Sequence, residues 1–565
     1  MNEEPIIEIE SEKDNIDVNI GLLPKEELKR PGLSLLSLFV AGAVMMMLWW
    51  GISEIGFRWS LSVLVVSILY LFNAHLQERK ISTSSWILLG LTLLAGLIPA
   101  LRNNEYNRLL SMLVSLVCLA LLSADFFSGQ WWQYRVREYL KAAFSAMAGF
   151  FVGFPAIASQ AIKSNGAPEQ KASGKRLAFG ILKGILITLP LLLVFTFLFA
   201  YADAIFESKV DSLFEWLRAD FLSQLLGRVL LTLFFAWLLG AALWLVVMHS
   251  SKLKAIEPDT PLLKPFLGMM ETMITLVSLN LLFAFFLVIQ FQYLFAGEAN
   301  ITQAGFTYAQ YAERGFRELL LVAAIAGLVF YALASFTRRE SKTKKLIFSI
   351  LGGFLLLQVG VVLVSAYQRI LMYIHAYGLT AYRYIPQIFI FFLAAILLSL
   401  VVMELTNKFK RLALILLSAS LLFVVTLAVL NVDASIARHN IERAMEGEKL
   451  DYAYLANGIS SDADPYMFKT LQSGNLPQDL QDNLEKVMVC RSADFEANRS
   501  YLEDSLLNLN LSILKANVLY ENNQDLLKKW PLENIDPVNH YLGFNIAGED
   551  IFCAHAEAGN ENSNK

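Results

Sequence analysis

Long apolar runs recur along this chain, and they constrain its fold more than any other feature. There are about 11 of them, each near the roughly 20 residues that a helix needs to cross a hydrocarbon core of about 30 Å. They lie at residues 33–50, 59–74, 84–101, 107–124, 178–201, 228–248, 270–295, 319–336, 346–366, 385–403 and 411–430. A bilayer offers no partners to backbone N–H and C=O groups, so such runs cross it as helices. We therefore predict an all-α, polytopic transmembrane helical bundle in a lipid bilayer.

The composition favours a membrane protein and argues against several other classes. Hydrophobic residues make up 56% of the 565 residues and charged residues only 17%, whereas soluble domains hold about 25% charged residues. The net charge of -4 and the absence of basic runs interleaved with aromatic residues exclude nucleic acid as a partner. The sequence contains none of the motifs HExxH, GxxxxGK[ST] and GxSxG, and its six histidines lack metal-ligand spacing. We expect no metal site and no cofactor.

The distribution of Lys and Arg predicts how the chain is oriented. Basic loops alternate with loops that are poorer in Lys and Arg, and the positive-inside rule makes the basic loops cytoplasmic. These basic loops contain Arg79 and Lys80, Arg135 to Arg176, Lys252 to Lys264, Arg338 to Lys345, and Lys408 to Arg411. The first run is interpreted as a retained signal anchor. With an odd number of spans, the chain after Leu430 lies outside the cytoplasm.

One further apolar stretch, at residues 142–162, complicates the count of spans. It is long enough to cross a bilayer, and it contains Gly149, Gly153 and Pro155. Basic residues flank it on both sides, and Trp131 marks a belt at headgroup level. We interpret the stretch as an interfacial or re-entrant element. If it crosses the bilayer instead, the tail lies on the cytoplasmic side.

The predicted organisation has five parts. Residues 1–32 form an acidic, disordered cytoplasmic tail, because they hold too few apolar residues to fold. The other parts are four spans at 33–124, a cytoplasmic interfacial or re-entrant segment at 125–177, a seven-span core at 178–430 and a small helical extracytoplasmic region at 431–565. Asp433 is the expected N-cap of the first tail helix. The cysteines allow at most one bridge, between Cys490 and Cys553.

A candidate polar site lies where the stretch 305–339 enters the membrane. Tyrosines and a charged turn precede an apolar run there, and other polar residues are predicted at the same outer level. An ionised side chain at the bilayer centre costs about 2.5 to 3.5 kcal/mol, so these groups should face protein, water or each other. The candidate ligand-binding residues are Tyr308, Tyr311, Arg314, Arg317, Glu318, Gln290, Arg369 and Arg383.

Two interpretations of these polar residues are open. They can be structural ion pairs and helix caps that orient the bundle, since buried pairs often specify packing alone. Alternatively they line a cavity for an anionic or amphiphilic ligand that is recognised by Arg317, Arg369 or Arg383.

Three segments resemble a known family of proteins. They are LVSLNLLFAFFLVIQFQYLFAG at 276–297, FTYAQYAERGFREL at 306–319, and NVDASIARHNIERA at 431–444 followed by LDYAYLA at 450–456. Together they resemble the uncharacterised bacterial multi-pass membrane proteins that carry a domain-of-unknown-function label, type four-one-five-three or four-one-seven-three. The resemblance implies a protein of the bacterial cytoplasmic (inner) membrane with no established catalytic residues. Arg317 departs from the family pattern, which has an apolar or aromatic residue there.

Three function hypotheses follow. The first is a transporter-like or ligand-binding protein with its site near the outer leaflet and the tail as a lid or docking surface. The second is a membrane-anchored assembly or signalling partner, in which the C-terminal tail or the acidic N-terminus binds another protein. The third is a membrane enzyme that acts on a lipid-linked substrate, with an acidic residue as the base.

A final expectation joins the tail to the candidate site. We predict that the helix beginning near Asp433 folds back over the mouth of the bundle. In this arrangement Asp433 or Glu442 lies near Arg314 or Arg317, and Arg438 lies near Glu313 or Glu318. A largely desolvated pair of this kind would cost about 3 to 5 kcal/mol when one partner is removed.

Overall fold

The computed structural model describes most of the chain. The described residues are 28–50, 55–164, scattered positions between 188 and 209, 220–249, 265–294, 315–406, 408–497, 510–536 and 541–555. The predicted acidic tail at 1–32 falls mostly outside them. All structural statements below concern these residues.

The membrane part is a bundle of long apolar helices. They are α1 (Pro31–Trp49), α2 (Gly56–Leu76), α3 (Thr83–Leu101), α4 (Glu105–Asp125), α5 (Val136–Ser164), α6 (Asp220–Trp244), α7 (Met269–Leu294), α8 (Phe316–Phe336), α9 (Lys342–Tyr377), α10 (Ala381–Thr406) and α11 (Leu412–Leu430). All except α5 are long and apolar enough to cross a membrane, which gives ten candidate spans among the described residues. Each coincides with a predicted run, while the run at 178–201 lies largely outside the described residues. The predicted polytopic helical bundle is confirmed.

Contacts between loops divide the bundle ends into two faces. The α3–α4 loop and the α9–α10 loop both touch the C-terminal tail, through Asn104 and Leu379 respectively. We call this end the tail-side face. At the opposite face, Arg79 after α2 donates to the carbonyl of Val247 beyond α6 (3.2 Å), and Arg339 before α9 pairs with Glu404 near the end of α10 (2.6 Å).

Helix α5 begins and ends near the opposite face. Just before α5, the Trp131 indole N–H donates to the carbonyl of Ser84 at the start of α3 (3.0 Å). Near its end, the Gln160 side-chain oxygen accepts from the backbone N–H of Leu28, just ahead of α1 (2.9 Å). Ser84 begins α3, and the backbone N–H of Lys29, next to Leu28, donates to the Gln77 side chain after α2 (3.0 Å), so both contacts lie at the opposite face. The helix contains Pro155, and close approach of its Gly153 to Ala241 packs it against α6.

The tail begins as helices and ends as a sheet. Its helices are α12 (Val432–Met445), α13 (Tyr452–Asn457), α14 (Asp464–Gln472), α15 (Gln478–Ala497), α16 (Leu511–Asn522) and α17 (Gln524–Leu527). The strands β1 (Glu533–Asp536), β2 (Tyr541–Ile546) and β3 (Glu549–His555) form an antiparallel sheet in the order β1-β2-β3. The sheet departs from the expected purely helical tail. A disulfide joins Cys490 of α15 to Cys553 of β3.

Within the part of the chain that the structure describes, the buried apolar side chains form two hydrophobic clusters. One joins α1 to α6 and includes Leu417 and Leu421 of α11. The other begins in α7 to α11 and continues without interruption into the tail, from Ile436 in α12 to Ile551 in β3. The tail therefore shares its core with the second half of the bundle.

Removal of the disulfide tests how the sheet is held. We expect Cys553→Ser to destabilise the tail by about 2 to 5 kcal/mol, because closing a long loop restricts the unfolded chain. The measurement is the thermal unfolding temperature of the purified protein, with and without reductant. Cys118→Ser removes the free buried cysteine and serves as the control. An unfolding temperature of wild-type protein that does not respond to reductant would contradict the prediction.

Candidate functional site

Gln290 and Arg369 meet between α7 and α9, as two members of one polar cluster. The Arg369 Nη2 donates to the Gln290 side-chain oxygen at 2.8 Å, and the Ser365 hydroxyl donates to the same oxygen at 3.1 Å. All three residues are buried. Because α9 ends at the tail-side face, this cluster lies about two turns inside that face. It brings together two of the residues that the sequence placed at one level.

Gly315 makes room for the Arg369 guanidinium. Its φ of +96° lies in the left-handed region, which glycine adopts without steric cost. An ideal Cβ at this position would lie 2.5 Å from Arg369 Nη1. The turn that starts α8 therefore fits against the guanidinium only with glycine.

An aromatic cluster lies one turn further toward the tail-side face. The ring of Phe316 lies 6.3 Å from that of Tyr373, and Tyr373 lies 5.3 Å from Tyr377. The guanidinium carbon of Arg383 lies 3.9 Å above Tyr373, and that of Arg317 lies 5.7 Å from the Phe316 ring centroid. Two further guanidinium groups thus flank the rings next to Arg369, at distances typical of cation–π contacts.

The arginines differ in how strongly the fold already uses them. Arg383 donates to the carbonyls of Tyr377 and Gly378 at 3.1 and 2.6 Å, so it caps the end of α9. Arg317 and Glu318 are exposed in the first turn of α8. A structural role therefore accounts for Arg383, whereas Arg317 remains exposed beside Phe316. The other proposed site residues, Tyr308, Tyr311, Glu313 and Arg314, lie outside the described residues.

Asp433 is buried where the tail meets the α3–α4 loop. Its carboxylate accepts from the Asn104 side-chain amide at 2.8 Å, and from the backbone N–H and hydroxyl of Ser460 at 3.0 and 2.5 Å. Burial raises the pKa of the Asp433 carboxyl above its usual range, and the donors from Ser460 and Asn104 act in the opposite direction.

Asp462 extends this contact along the same loop. One carboxylate oxygen accepts from the backbone N–H groups of Asn103 and Asn104, both at 2.9 Å. The other accepts from the Ser512 hydroxyl and lies 3.8 Å from Arg102 Nη1. Asp462 is 2% exposed, so its charge is held by donors from both the bundle and the tail.

A third buried carboxylate organises the tail internally. Asp464 accepts from Arg491 Nε and from the Tyr520 hydroxyl, both at 2.7 Å. Arg491 also donates to the carbonyls of Leu455, Ala456, Ile459 and Ser460. Burial raises the pKa of Asp464, and Arg491 and Tyr520 act in the opposite direction. Because Arg491 binds the Ser460 carbonyl, it also fixes the turn in which Ser460 donates to Asp433.

The helix α12 also covers the α9–α10 loop. Asn440 exchanges two hydrogen bonds with the backbone of Leu379, at 2.7 and 2.8 Å, and Arg443 donates to the carbonyl of His375 at 2.6 Å. The Asn440 side-chain amide therefore pairs with the N–H and C=O of Leu379 as a second backbone strand would. This pairing fixes the distance between α12 and the α9–α10 loop.

These contacts differ from the predicted salt bridges between tail and bundle. Asp433 is bound by Asn104 and Ser460 rather than by Arg317, and Arg438 pairs with Glu442 of its own helix at 2.8 Å rather than with Glu318. That pair is exposed to solvent, so it contributes little to stability. The N-cap of α12 is Asn431, whose side chain accepts from the N–H of Ala434, and not Asp433. Asp433 is too deeply engaged with the bundle to cap its own helix.

Sequence reasoning missed Asn103, Asn104 and Asp462. The signal for Asn104 was available, because an Asn immediately before a long apolar helix is a strong N-cap pattern, and Asn104 does accept from the N–H of Asn107. Asp462 gave no comparable signal. Its partners lie 358 and 359 residues away in sequence.

Substitution of Asp462 tests the docking of the tail. We expect Asp462→Ala to leave the backbone N–H groups of Asn103 and Asn104 unpaired, and the loss of the buried partner of Asn104 alone should cost about 1 to 3 kcal/mol. The measurement is disulfide trapping between cysteines introduced at Asn103 and Ser461, whose side chains lie 3.2 Å apart. Trapping should become slower and less complete in the variant. The control is Asp479→Ala, in the first turn of α15, and equal trapping in all three proteins would refute the docking role.

Comparison with known proteins identifies the family but no characterised relative. No curated protein and no solved structure gives a significant match. A family model described as a domain of unknown function, DUF4153, matches residues 89–469. The match runs from within α3 through the second half of the bundle to α14, and so includes the Gln290–Arg369 cluster, Asn104, Asp433 and Asp462. The chain belongs to the DUF4153 family.

Proposed function

We propose that this multi-pass membrane protein binds an amphiphilic anion at the tail-side ends of α7, α8 and α9. The observation that carries the proposal is the buried Arg369, held by Gln290 beneath an aromatic cluster that Arg317 and Arg383 flank. Guanidinium groups recognise carboxylate and phosphate in a planar, bidentate manner, and the rings offer apolar surface to a chain. An anion with a hydrocarbon part matches both features.

The contacts of the docked tail favour a cover that stays in place near this site, rather than a lid that opens and closes. Two buried carboxylates and the Asn440–Leu379 pair join it to two different loops of the bundle. Breaking all of these contacts at once would leave several buried polar groups without partners. Access to the site would then run sideways between helices.

A second candidate function is a platform for another protein. The same docking favours it, because a tail held in one orientation presents a constant surface to a partner. The bundle would then act as an anchor. The two proposals differ in the role of Arg317, Arg369 and Arg383. These residues bind an anion in the first proposal and have no ligand in the second.

We further propose that the protein lies in the bacterial inner membrane with its tail outside the cytoplasm. The Lys/Arg-rich loops at Arg79 and at Arg338–Lys345 support this orientation, since they lie at the face opposite the tail. The Cys490–Cys553 disulfide supports it independently, because disulfides persist in oxidising compartments.

Reporter fusions test the orientation. We expect alkaline phosphatase joined after residue 555 to be active in bacterial cells, and green fluorescent protein at that position to be dark. Fusions placed after Lys80 are the control and should show the reverse pattern. A fluorescent fusion after residue 555 would mean that the tail is cytoplasmic.

Binding of dodecyl phosphate tests the ligand proposal. We expect the purified protein to bind this probe with an affinity that falls about tenfold in Arg317→Gln, because one charge-assisted contact to an anion is lost. Arg369→Gln should lower the affinity further. Titration calorimetry measures both, with dodecyl maltoside as the uncharged comparison ligand.

Arg438→Gln is the matched control, since Arg438 is exposed and lies on α12. Its affinity should equal that of the wild type. Equal affinities in all four proteins would rule out an anion site at the arginines, and would leave the platform as the better proposal.

A further inference from the structure

The first half of the bundle contains a large apolar cavity that lies apart from the site above. It has a volume of about 400 Å³ and is walled by α1, α2, α4, α5 and α6. Along α2 it extends from Trp59 to Tyr70, and along α6 from Phe235 to Leu245. At 1.5 Å per residue both distances correspond to about 15 Å, roughly half a hydrocarbon core.

The few polar side chains of the cavity wall already have hydrogen-bond partners in the protein. The Trp49 indole donates to Ser62 at 2.8 Å, and Tyr70 pairs with Ser123 at 2.6 Å. The Trp59 indole donates to Ser115 at 3.0 Å. Apolar cavities whose walls offer water no free partners stay dry and take up apolar molecules. The cavity is therefore suited to a hydrocarbon chain.

The tail-side end of the cavity carries positive charge. Arg228 lies seven residues before Phe235 on α6, hence on the same helical face and about 10 Å nearer the tail-side face. It is exposed, and its guanidinium lies 5.3 Å over the ring of Trp50. Arg58, buried beside Trp59, donates to the carbonyl of Leu48.

Tryptophan and arginine at one level of a span are typical of the headgroup region. The Trp50 ring packs closely against α6 at Gly227, where an added Cβ would lie 2.8 Å from the ring. The ring therefore supports Arg228 from one side and leaves the other side of the guanidinium facing outward.

We propose that this cavity binds one acyl chain of an anionic phospholipid, whose phosphate contacts Arg228 at the tail-side end. Arg58 adds positive charge next to Trp49 and Trp59. The site is separate from the Gln290–Arg369 cluster, which lies in the other half of the bundle. Its occupant fills the space between α1, α2 and α6, and so contributes to the packing of that half.

Native mass spectrometry of the full chain tests the proposal. Delipidated protein is incubated with phosphatidylglycerol or with diacylglycerol of equal chain length, which has no phosphate. We expect the wild type to retain phosphatidylglycerol. Arg228→Gln should lower this retention about tenfold and leave the retention of diacylglycerol unchanged, because a single phosphate contact is removed. Equal retention of the two lipids by the wild type would overturn the proposal.

Variants that fill the cavity with a larger side chain give an independent test of the proposal. Ala242 of α6 and Ala120 of α4 both line the space, and Ala242→Phe and Ala120→Phe should each abolish retention. Ala395→Phe, on an exposed face of α10, is the matched control and should retain lipid. Retention in both cavity variants at the wild-type level would refute the site.

A photoreactive phosphatidylglycerol with a diazirine in its acyl chain locates the binding. Label is expected on peptides that contain residues 59–70 or 235–245, in the wild type and in Arg369→Gln alike. Label confined to α7 to α9 would show that the lipid occupies the Gln290–Arg369 cluster, and would exclude the cavity as the site.

Discussion

The buried carboxylate of Asp462 connects the membrane and aqueous parts of this protein. It accepts two backbone N–H groups from the short α3–α4 loop and one hydroxyl from α16. A charged group in such a place is stable only when several donors surround it. Burial of the Asp462 carboxylate therefore depends on three features of the fold at once. They are the course of the α3–α4 loop, the position of α16 and the turn at Ser460. Because Asn104 is also the N-cap of α4, the same contact sets where that helix begins.

The long helices follow from the sequence with little ambiguity, because a run of about 20 apolar residues has one stable form in a bilayer. The docking contacts do not follow in the same way. Sequence reasoning sought opposite charges on the two polar segments, and the structure instead joins Asp433 to an amide and a hydroxyl. Neutral donors such as Asn and Ser are common along any chain, so their partners cannot be assigned from residue type. Gln290 and Arg369 do meet in the structure, because each lies at the same depth on its own helix.

The sheet of the tail illustrates a different limit. Its strands are only 4 to 7 residues long and contain charged residues, so alternation of apolar and polar residues is hard to recognise. The pairing of β2 with β3 also contains a register shift next to Gly543, which interrupts the period of two. An ideal Cβ at Gly543 would lie 2.0 Å from the carbonyl oxygen of Ile551, so the strands approach each other there only because the side chain is absent. The close pairing at this point thus depends on a missing side chain, which a hydrophobicity pattern does not register.

The hydrophobic cluster that runs from α7 into the tail has a consequence for how the chain can be divided. At the end of α11 the surroundings of the chain change from lipid to water. The packing of the hydrophobic core does not change there. Ile436 and Ile441 of α12 are fully buried in the same cluster as Leu427 of α11. The surface between membrane and water therefore passes through a single hydrophobic core. A fragment cut at the end of α11 would expose to solvent the side chains of α12 that pack in this core.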